Sequence, residues 1–383
     1  MKIHWLGLLF LLLSFQQHSN DLVPNENVII NHQSLQPFFR NLDSLITFKD
    51  NVVNIVHIGD SHIQADFLTS STRCLFQEKF GNAGRGFVFP YRIAKTGGAL
   101  DVRFNYSGKW DFCEIMRNYK NCELGVAGYS ISAHDSSVLS IDVVSKATSD
   151  AFFNHLTVFD ENGSFMPCEY KGTYSFHKTK GRTDLYFDQL QDSLSLLASC
   201  TMNDITKFQG MILDNGNAGI LYHSMGVNGS STLQYLRSTK LESEMAELNA
   251  NLVIVSFGTN DTYLPTSRFC TSCVKERYRE LVHRIKQANP GIPILITTPP
   301  DHYYFKKQPN GNLEDLRQAL IDLCKEEDIA MWDLYQIMGG ANSIKTWQEN
   351  NLAGRDLIHF TIEGYQLQGE LLYNALMRHY EER

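Results

Sequence analysis

Residues 51–67, NVVNIVHIGDSHIQADF, carry a serine at the point where an apolar run ends. A short apolar run rich in β-branched residues predicts a buried strand, and the polar residues after Gly59 predict a turn that opens a helix. Ser61 is therefore expected at the carboxyl end of a buried strand, between Asp60 and His62. What this serine does depends on the side chains that the rest of the chain brings near it.

From residue 250 onward, segments typical of strands alternate with segments typical of amphipathic helices. The strand-like segments are NLVIVSFGTND (251–261), IPILITTPP (292–300) and AMWDLYQI (330–337). The helix-like segments are VKERYRELVHRIKQANPG (274–291), NLEDLRQALIDLCKEEDI (312–329) and TIEGYQLQGELLYNALMRHYEE (361–382). Continuous apolar strands that alternate with such helices form parallel sheets covered on both faces, so we predict an α/β domain.

Residues 101–224 have a different sequence pattern, because short strand-like segments follow one another there without a long amphipathic helix. These segments are LSIDVV (139–144), HLTVFD (155–160), TDLYFDQL (183–190) and FQGMILDN (208–215). We predict a β-sandwich of jelly-roll type, inserted into an α/β domain that is discontinuous over residues 26–100 and 226–383. Trp110 and Tyr129 are candidate exposed rings for carbohydrate binding by this insert.

The charge balance argues against a nucleic-acid partner. The formal net charge is −8 and the pI is about 5.9, and no cluster of Lys and Arg provides the basic patch that nucleic acid requires. The first residues, MKIHWLGLLFLLLSF, place Lys2 before an apolar run that is short for a bilayer span, as in a secretory signal peptide. We predict a signal peptide at residues 1–20, export to the periplasm or the medium, and no stable membrane span after cleavage.

The chain has eight cysteines, whose pairing cannot be deduced from the sequence. Cys270 and Cys273 lack a second cysteine pair or a histidine pair at the spacing of zinc ligands. They therefore form either a local disulfide or two loop thiols. No metal and no other cofactor is predicted.

Two further polar clusters are expected at the same edge of the sheet as Ser61. GTND (258–261) follows a predicted strand and DLIH (356–359) precedes the last helix, and ligands bind where the carboxyl ends of parallel strands meet. A serine hydroxyl becomes a nucleophile when a histidine takes its proton and a carboxylate orients that histidine. Asp356 and His359 offer both groups within one loop.

A tetrahedral intermediate formed on the serine also needs N–H donors around its oxyanion. The backbone N–H of Ser61, at the start of the predicted helix, has no intrahelical acceptor. Asn260 offers a side-chain amide. Either Gly226 or Gly229, in HSMGVNGSSTLQY (223–235), offers a further backbone N–H.

Four blocks of this sequence resemble, in the same order, those of the SGNH (GDSL-type) hydrolase family. They are GDSH with Ser61, GVNGSS with Gly229, GTND with Asn260, and DLIH with Asp356 and His359. The resemblance implies a three-layer α/β/α sandwich of flavodoxin-like type with no metal. It also implies Ser61 as nucleophile, His359 as general base and Asp356 as its orienting carboxylate. Ser61, Gly229 and Asn260 would form the oxyanion hole.

Within this family, GDSHIQADF (59–67), KFGNAGRGFVFP (79–90) and the long insert resemble the peptidoglycan O-acetylesterase branch, whose members carry an inserted domain similar to a carbohydrate-binding module. That resemblance implies a serine esterase that removes short acyl groups, acetyl above all, from an acylated polysaccharide. His62 stands where the family name implies leucine. His62 and Arg85 are candidate contacts of the substrate.

Other functions fit the same sequence. An acetylxylan-type carbohydrate esterase would use the same relay on a different glycan, and an O-acetyltransferase would pass the acyl group to a sugar hydroxyl instead of water. A non-catalytic carbohydrate-binding protein with a vestigial α/β domain is the alternative outside enzymes.

Overall fold

The computed structural model describes residues 22–119, 122–144, 152–161, 163–199 and 206–383. The signal peptide predicted at residues 1–20 lies outside the described residues. Within the described part of the chain, no helix combines the length and the apolar character needed to cross a membrane.

The strands are numbered along the chain. They are β1 (Ile29–Ile30), β2 (Val52–Gly59), β3 (Gly86–Val88), β4 (Val102–Glu114), β5 (Tyr129–Val143), β6 (Phe153–Asp160), β7 (Phe165–Glu169), β8 (Tyr174–Thr179), β9 (Arg182–Gln191), β10 (Ser193–Ala198), β11 (Thr206–Asp214), β12 (Gly219–Gly226), β13 (Leu252–Ser256), β14 (Ile294–Thr297), β15 (Tyr303–Tyr304), β16 (Gln308–Pro309) and β17 (Ala330–Trp332).

The α-helices are numbered in the same way. They are α1 (Gln36–Phe48), α2 (Ser61–Gln64), α3 (Phe67–Phe80), α4 (Thr232–Tyr235), α5 (Leu241–Glu247), α6 (Thr259–Thr262), α7 (Thr271–Ala288), α8 (Leu313–Glu327), α9 (Leu334–Ile337), α10 (Ser343–Glu349) and α11 (Ile362–Glu381). Short 3₁₀ helices cover His32–Leu35 and Thr266–Arg268.

The parallel sheet has the strand order β12–β2–β13–β14–β17, with the short β1 antiparallel at the edge beside β17. Counted along the chain, its parallel strands lie in the order 2-1-3-4-5, which is the flavodoxin-like order. The order reverses between β2 and β13, so a crevice opens at the carboxyl ends of these strands, where ligands bind in such sheets. This topology confirms the predicted flavodoxin-like α/β fold.

The alternation of side chains along β2 divides the core between the two faces of the parallel sheet. Val53 and Ile55 pack with α1, α3, α10 and α11, whereas Val56 and Ile58 pack with α5, α7 and α8. All four side chains are completely buried, and each contributes ~1.5–3 kcal/mol through burial of its apolar surface. These two helix layers explain why the strand reads as an almost continuous apolar run.

The β-rich insert forms one antiparallel sheet with the order β7–β10–β5–β11–β6–β9–β8, to which β4 adds on β5 and β3 on β11. Its buried side chains belong to the same apolar core as the α5, α7 and α8 face of the parallel sheet. The insert therefore packs directly on the α/β part of the molecule.

Two strands lie across the domain boundaries predicted from the sequence. β12 (Gly219–Gly226) pairs in parallel with β2 over its whole length, so the α/β part resumes at residue 219 and not at 226. β3 (Gly86–Val88) pairs with β11, so the sheet of the insert includes a strand that precedes residue 101. Both differences have one cause, because an apolar run does not specify which sheet its backbone hydrogen bonds join.

The structure decides the pairing of four cysteines, which the sequence left open. Cys270 and Cys273 form a local disulfide, and a second disulfide joins Cys113 to Cys122.

The prediction of Tyr129 as an exposed ring is wrong, since the side chain is 1% exposed at the boundary between the insert and the α/β part. Trp110 is half-buried and stacks on Phe165 with ring centroids 6.2 Å apart.

Candidate active site

A tight connection between β2 and α2 places Ser61 at the start of a short helix. Asp60 caps this helix, because its Oδ1 accepts a hydrogen bond from the backbone N–H of His62 at 3.0 Å. Gly59 allows β2 to end close to β13, since a Cβ on it would lie 2.5 Å from the carbonyl oxygen of Ser256. The turn therefore needs Gly and Asp immediately before the serine.

Ser61, His359 and Asp356 form an unbroken chain of hydrogen-bonding contacts. The Oγ of Ser61 lies 3.0 Å from Nε2 of His359, and Nδ1 of His359 lies 2.7 Å from Oδ2 of Asp356. A carboxylate only accepts hydrogen bonds, so Nδ1 carries the proton and Nε2 is left free to accept from the serine hydroxyl. This is the arrangement that general-base activation of a serine requires.

The loop before α11 holds the aspartate and the histidine in register. Oδ1 of Asp356 accepts hydrogen bonds from the backbone N–H groups of Ile358 and His359, at 3.1 and 3.0 Å. Leu357, which follows Asp356, has a left-handed backbone with φ +56. Its carbonyl accepts a hydrogen bond from the N–H of Tyr303 at 2.8 Å. Such strain persists only where surrounding contacts impose it, and here those contacts fix the carboxylate against the imidazole.

The two partners shift one another's protonation. The hydrogen bond that His359 donates to Asp356 raises the pKa of His359 above its ordinary value of 6.5, against the opposing effect of burial. Burial raises the pKa of Asp356, but the hydrogen bonds from His359 and the backbone amides outweigh it and hold that pKa well below the usual range. The side chain of His359 is 42% exposed, so the imidazole is accessible from solvent.

The three predicted oxyanion donors come from the ends of adjacent strands. The N–H of Ser61 begins α2 and has no acceptor within the helix. Gly229, at φ +76, lies inside a turn closed by the hydrogen bond from the Ser230 N–H to the Val227 carbonyl at 3.0 Å. The side-chain amide of Asn260 donates to the carbonyl of Ser230 at 3.1 Å. The asparagine thus holds the glycine turn beside the serine helix.

Two buried carboxyl groups brace this part of the site. Oδ2 of Asp60 lies 3.4 Å from Nδ2 of Asn260, and burial raises the pKa of Asp60 to about 7. Asp261 accepts hydrogen bonds from the backbone N–H and the hydroxyl of Thr232. Asp261 therefore ties α6 to α4 and stays away from the relay.

The predicted contact of His62 with substrate differs from its position in the structure. The side chain is buried, and its Nδ1 lies 2.9 Å from the hydroxyl of Tyr365. Its ring packs against that of His359, with centroids 5.3 Å apart, and burial lowers its pKa well below the ordinary value. His62 is thus a neutral support behind the imidazole of His359.

Arg85, the other candidate contact of the substrate, lies in a cluster of ion pairs. The guanidinium is 8% exposed and pairs with Asp66 and Asp101, each at 2.5 Å. Arg73 joins the same cluster through Asp66 at 2.9 Å. The two carboxylates balance the charge of the two arginines, and Arg85 links the start of α3 to the start of the insert.

Sequence reasoning missed Gln64, the last residue of α2. Its Oε1 accepts from the backbone N–H of Asn228 at 2.6 Å and from the hydroxyl of Tyr129 at 3.1 Å, and its Nε2 donates to Oγ1 of Thr96 at 2.9 Å. Gln64 therefore connects the serine helix, the glycine turn and the insert. Its place three residues after Ser61, on the same side of one helical turn, was the available signal.

Comparison with known proteins agrees with this geometry. A family model described as GDSL-like lipase/acylhydrolase matches residues 208–367. The match includes Gly229, Asn260, Asp356 and His359, and it begins after Ser61, which the fold brings to the other members. No curated protein sequence matches the chain at a significant level.

Among solved structures, the chain is similar to a peptidoglycan O-acetylesterase with 22% identity and a TM-score of 0.74, over 91% of this chain and 97% of that one. Partial similarity extends to an acetyl xylan esterase, with 18% identity over 41% of this chain and 81% of that one and a TM-score of 0.34. A lipase/acylhydrolase from Enterococcus faecalis is 18% identical over 42% of this chain and 77% of that one, with a TM-score of 0.33.

The similarity to the peptidoglycan O-acetylesterase covers 91% of this chain and supports the fold described above, insert included. Residues 208–367 of this chain are thus similar to the GDSL-like lipase/acylhydrolase family.

Proposed function

We propose that this protein is a serine esterase that hydrolyses O-acetyl esters on peptidoglycan. The observation that carries the proposal is the chain of contacts from Ser61 Oγ through His359 to Asp356, at 3.0 and 2.7 Å. The choice of substrate is supported by the fold that the chain shares over 91% of its length with a peptidoglycan O-acetylesterase.

In the acylation step, His359 Nε2 takes the proton of Ser61 while Oγ attacks the acetyl carbonyl. The carboxylate of Asp356 stabilises the imidazolium that forms. The N–H groups of Ser61 and Gly229 and the amide of Asn260 are proposed to stabilise the oxyanion, each such donor lowering the barrier by ~3 kcal/mol. The intermediate collapses when the C–O bond to the sugar breaks and His359 returns its proton to the departing sugar hydroxyl.

In the deacylation step, His359 takes a proton from water, which attacks the acetyl group on Ser61. Collapse of the second intermediate releases acetate and returns the proton to Ser61. A sugar hydroxyl in the place of water would make the same protein an O-acetyltransferase, so the acceptor is part of the test.

The predicted location agrees with this substrate. Export by the signal peptide predicted at residues 1–20 would bring the enzyme to the cell envelope, and we propose a periplasmic or secreted enzyme without a nucleic-acid partner. The net charge of −8 without a basic cluster supports the second point.

Acetate release from defined glycans tests the proposed function. The purified protein is offered O-acetylated peptidoglycan, acetylated xylan and each glycan after alkaline removal of its esters, with acetate as the readout and free sugar acceptors added in parallel. We expect acetate from O-acetylated peptidoglycan and none from the de-esterified samples. Preference for xylan, transfer to the acceptor in place of acetate release, or no acetate at all would each reject the proposal.

The raised pKa of His359 predicts the acid side of the pH profile. Only the neutral imidazole acts as a base, so kcat/KM falls as the pH drops through the pKa of His359. Because the hydrogen bond to Asp356 raises that pKa above 6.5, the midpoint of this fall is expected above 6.5 in the natural protein. Asp356→Asn removes the negative charge, so the midpoint moves to lower pH.

Hydrolysis of p-nitrophenyl acetate between about pH 5 and about pH 9 gives both profiles, since histidine titrates in this range. A midpoint below the ordinary histidine value, or the same midpoint in both proteins, is incompatible with the proposed role of His359.

A further inference from the structure

Three aromatic side chains form a cluster on the same edge of the parallel sheet as Ser61. Tyr263, Tyr304 and Phe305 make up this rim aromatic cluster, with ring centroids 5.1 Å apart for the two tyrosines, 4.5 Å for Tyr304 and Phe305, and 5.6 Å for Tyr263 and Phe305. Tyr263 directly follows α6, which carries Asn260, and the other two lie after the carboxyl end of β14. The chain topology thus brings the cluster to the active-site edge.

Backbone and ring contacts connect the cluster to the relay. The N–H of Tyr303, next to Tyr304, donates to the carbonyl of Leu357, which lies in the loop between Asp356 and His359. Tyr263 also stacks on the buried ring of His302, with centroids 6.3 Å apart. One backbone hydrogen bond therefore connects the segment that carries Tyr304 and Phe305 to the loop that carries Asp356 and His359.

The hairpin of β15 and β16 holds Phe305 outward at a cost to the fold. Phe305 and Lys306 have φ of +50 and +60, in a turn closed by the Lys307 N–H on the Tyr304 carbonyl at 3.1 Å. Turns of this type favour Asn and Gly, and such a conformation costs ~1 kcal/mol or more for a bulky residue. Since Phe305 is 59% exposed, burial does not repay this strain.

A hydrogen bond connects the hairpin turn to Tyr263. The backbone N–H of Phe305 donates to the hydroxyl of Tyr263 at 3.0 Å, and the rings of the two residues lie 5.6 Å apart. Lys306 and Lys307 are exposed at the tip of the hairpin and place positive charge beside the rings. The rim aromatic cluster thus combines aromatic side chains with cations at the edge of the crevice that holds Ser61.

We propose that the rim aromatic cluster is the platform on which a pyranose ring of the glycan strand stacks, beside the sugar whose ester is cleaved. The C–H groups on one face of a sugar ring suit the electron-rich face of an aromatic ring. Lys306 and Lys307 complement carboxylates carried by an anionic glycan such as peptidoglycan. This inference rests on the proposed function and assigns glycan binding to the α/β part of the chain.

The test compares polymeric and small substrates. In Phe305→Ala, the ratio of kcat/KM on O-acetylated peptidoglycan to kcat/KM on p-nitrophenyl acetate is expected to fall about tenfold, the change that ~1.4 kcal/mol produces. The loss should appear mainly as a higher KM for the polymer, and Phe305→Tyr should restore the ratio because it keeps the ring.

Two exposed phenylalanines elsewhere provide matched controls. Phe48, 67% exposed at the end of α1, precedes β2 and lies at the opposite edge of the sheet, so Phe48→Ala should leave the ratio unchanged. Phe176, 53% exposed on β8, tests the insert in the same way. An unchanged ratio in Phe305→Ala, or a fall seen only in Phe176→Ala, would overturn the inference.

Failure of this inference is distinguishable from failure of the proposed function. If the natural protein releases acetate from peptidoglycan and Phe305→Ala does so with the same KM, only the platform is rejected. If the natural protein does not act on peptidoglycan, its sedimentation with de-esterified peptidoglycan still measures binding. In that case, equal binding by the natural protein and Phe305→Ala rejects the platform, and weaker binding by the variant supports it.

Discussion

Replacing Ser61 by alanine is expected to lower the rate of acetate release by a factor of ~10⁴ to 10⁶, the range found when a serine nucleophile is removed from such a relay. Alanine has no hydroxyl for His359 to deprotonate at 3.0 Å, so no acetyl group can be held on the protein. The remaining rate would come from the oxyanion donors and from substrate binding.

The fold should tolerate this change. Ser61 is partly exposed, and the cap of α2 is the side chain of Asp60 and not that of the serine. The free energy of unfolding in urea should therefore stay within about 0.5 kcal/mol of the natural value, as for most surface substitutions. Ser243→Ala, at an exposed serine of α5, serves as the matched control. Substantial activity in folded Ser61→Ala would show that another group is the nucleophile.

Asp356→Asn is expected to reduce kcat by a factor of ~10³ to 10⁴. The asparagine amide can donate to Nδ1 of His359, which favours the tautomer with the proton on Nε2, where it cannot accept from Ser61. An asparagine oxygen can still serve one of the two acceptor positions of Asp356, toward His359 Nδ1 or toward the backbone amides of Ile358 and His359. The loop is therefore expected to fold while the imidazole loses its orientation.

The size of this loss separates catalysis from stability. Asp50→Asn, at an exposed aspartate just after α1, is the matched control and should keep the natural kcat. Initial rates with p-nitrophenyl acetate and the urea midpoint are measured for both variants. A loss in Asp356→Asn of less than about tenfold in kcat, or one that follows the fraction unfolded, would remove Asp356 from the mechanism.

The parts of the site that could be predicted depend either on where strands end or on spacing within one loop. Ser61 and Asn260 directly follow apolar runs, and parallel strands bring their carboxyl ends to one edge whatever their distance in the sequence. Asp356 and His359 lie three residues apart in one loop, so their pairing at 2.7 Å needs only local geometry. The sheet order and these contacts agree with the sequence-based prediction, while the catalytic roles stay predictions.

What the sequence could not supply depends on neighbours that are distant along the chain. His62 is buried because Tyr365, 303 residues later, lies against it. Arg85 is neutralised by Asp101, which no periodicity connects to it. The start of β12 at residue 219 depends on backbone pairing with β2. In each case the partner is set by tertiary packing, which the local sequence pattern does not specify.

The most direct test of the relay is detection of its covalent intermediate. The protein is mixed with p-nitrophenyl acetate, quenched rapidly in acid, digested and analysed by mass spectrometry. We predict one acetyl group on the peptide that contains Ser61, and none on any peptide of Ser61→Ala treated in the same way. Turnover without acetylation of Ser61, or an acetyl group on another residue that forms and decays at the turnover rate, would contradict the account.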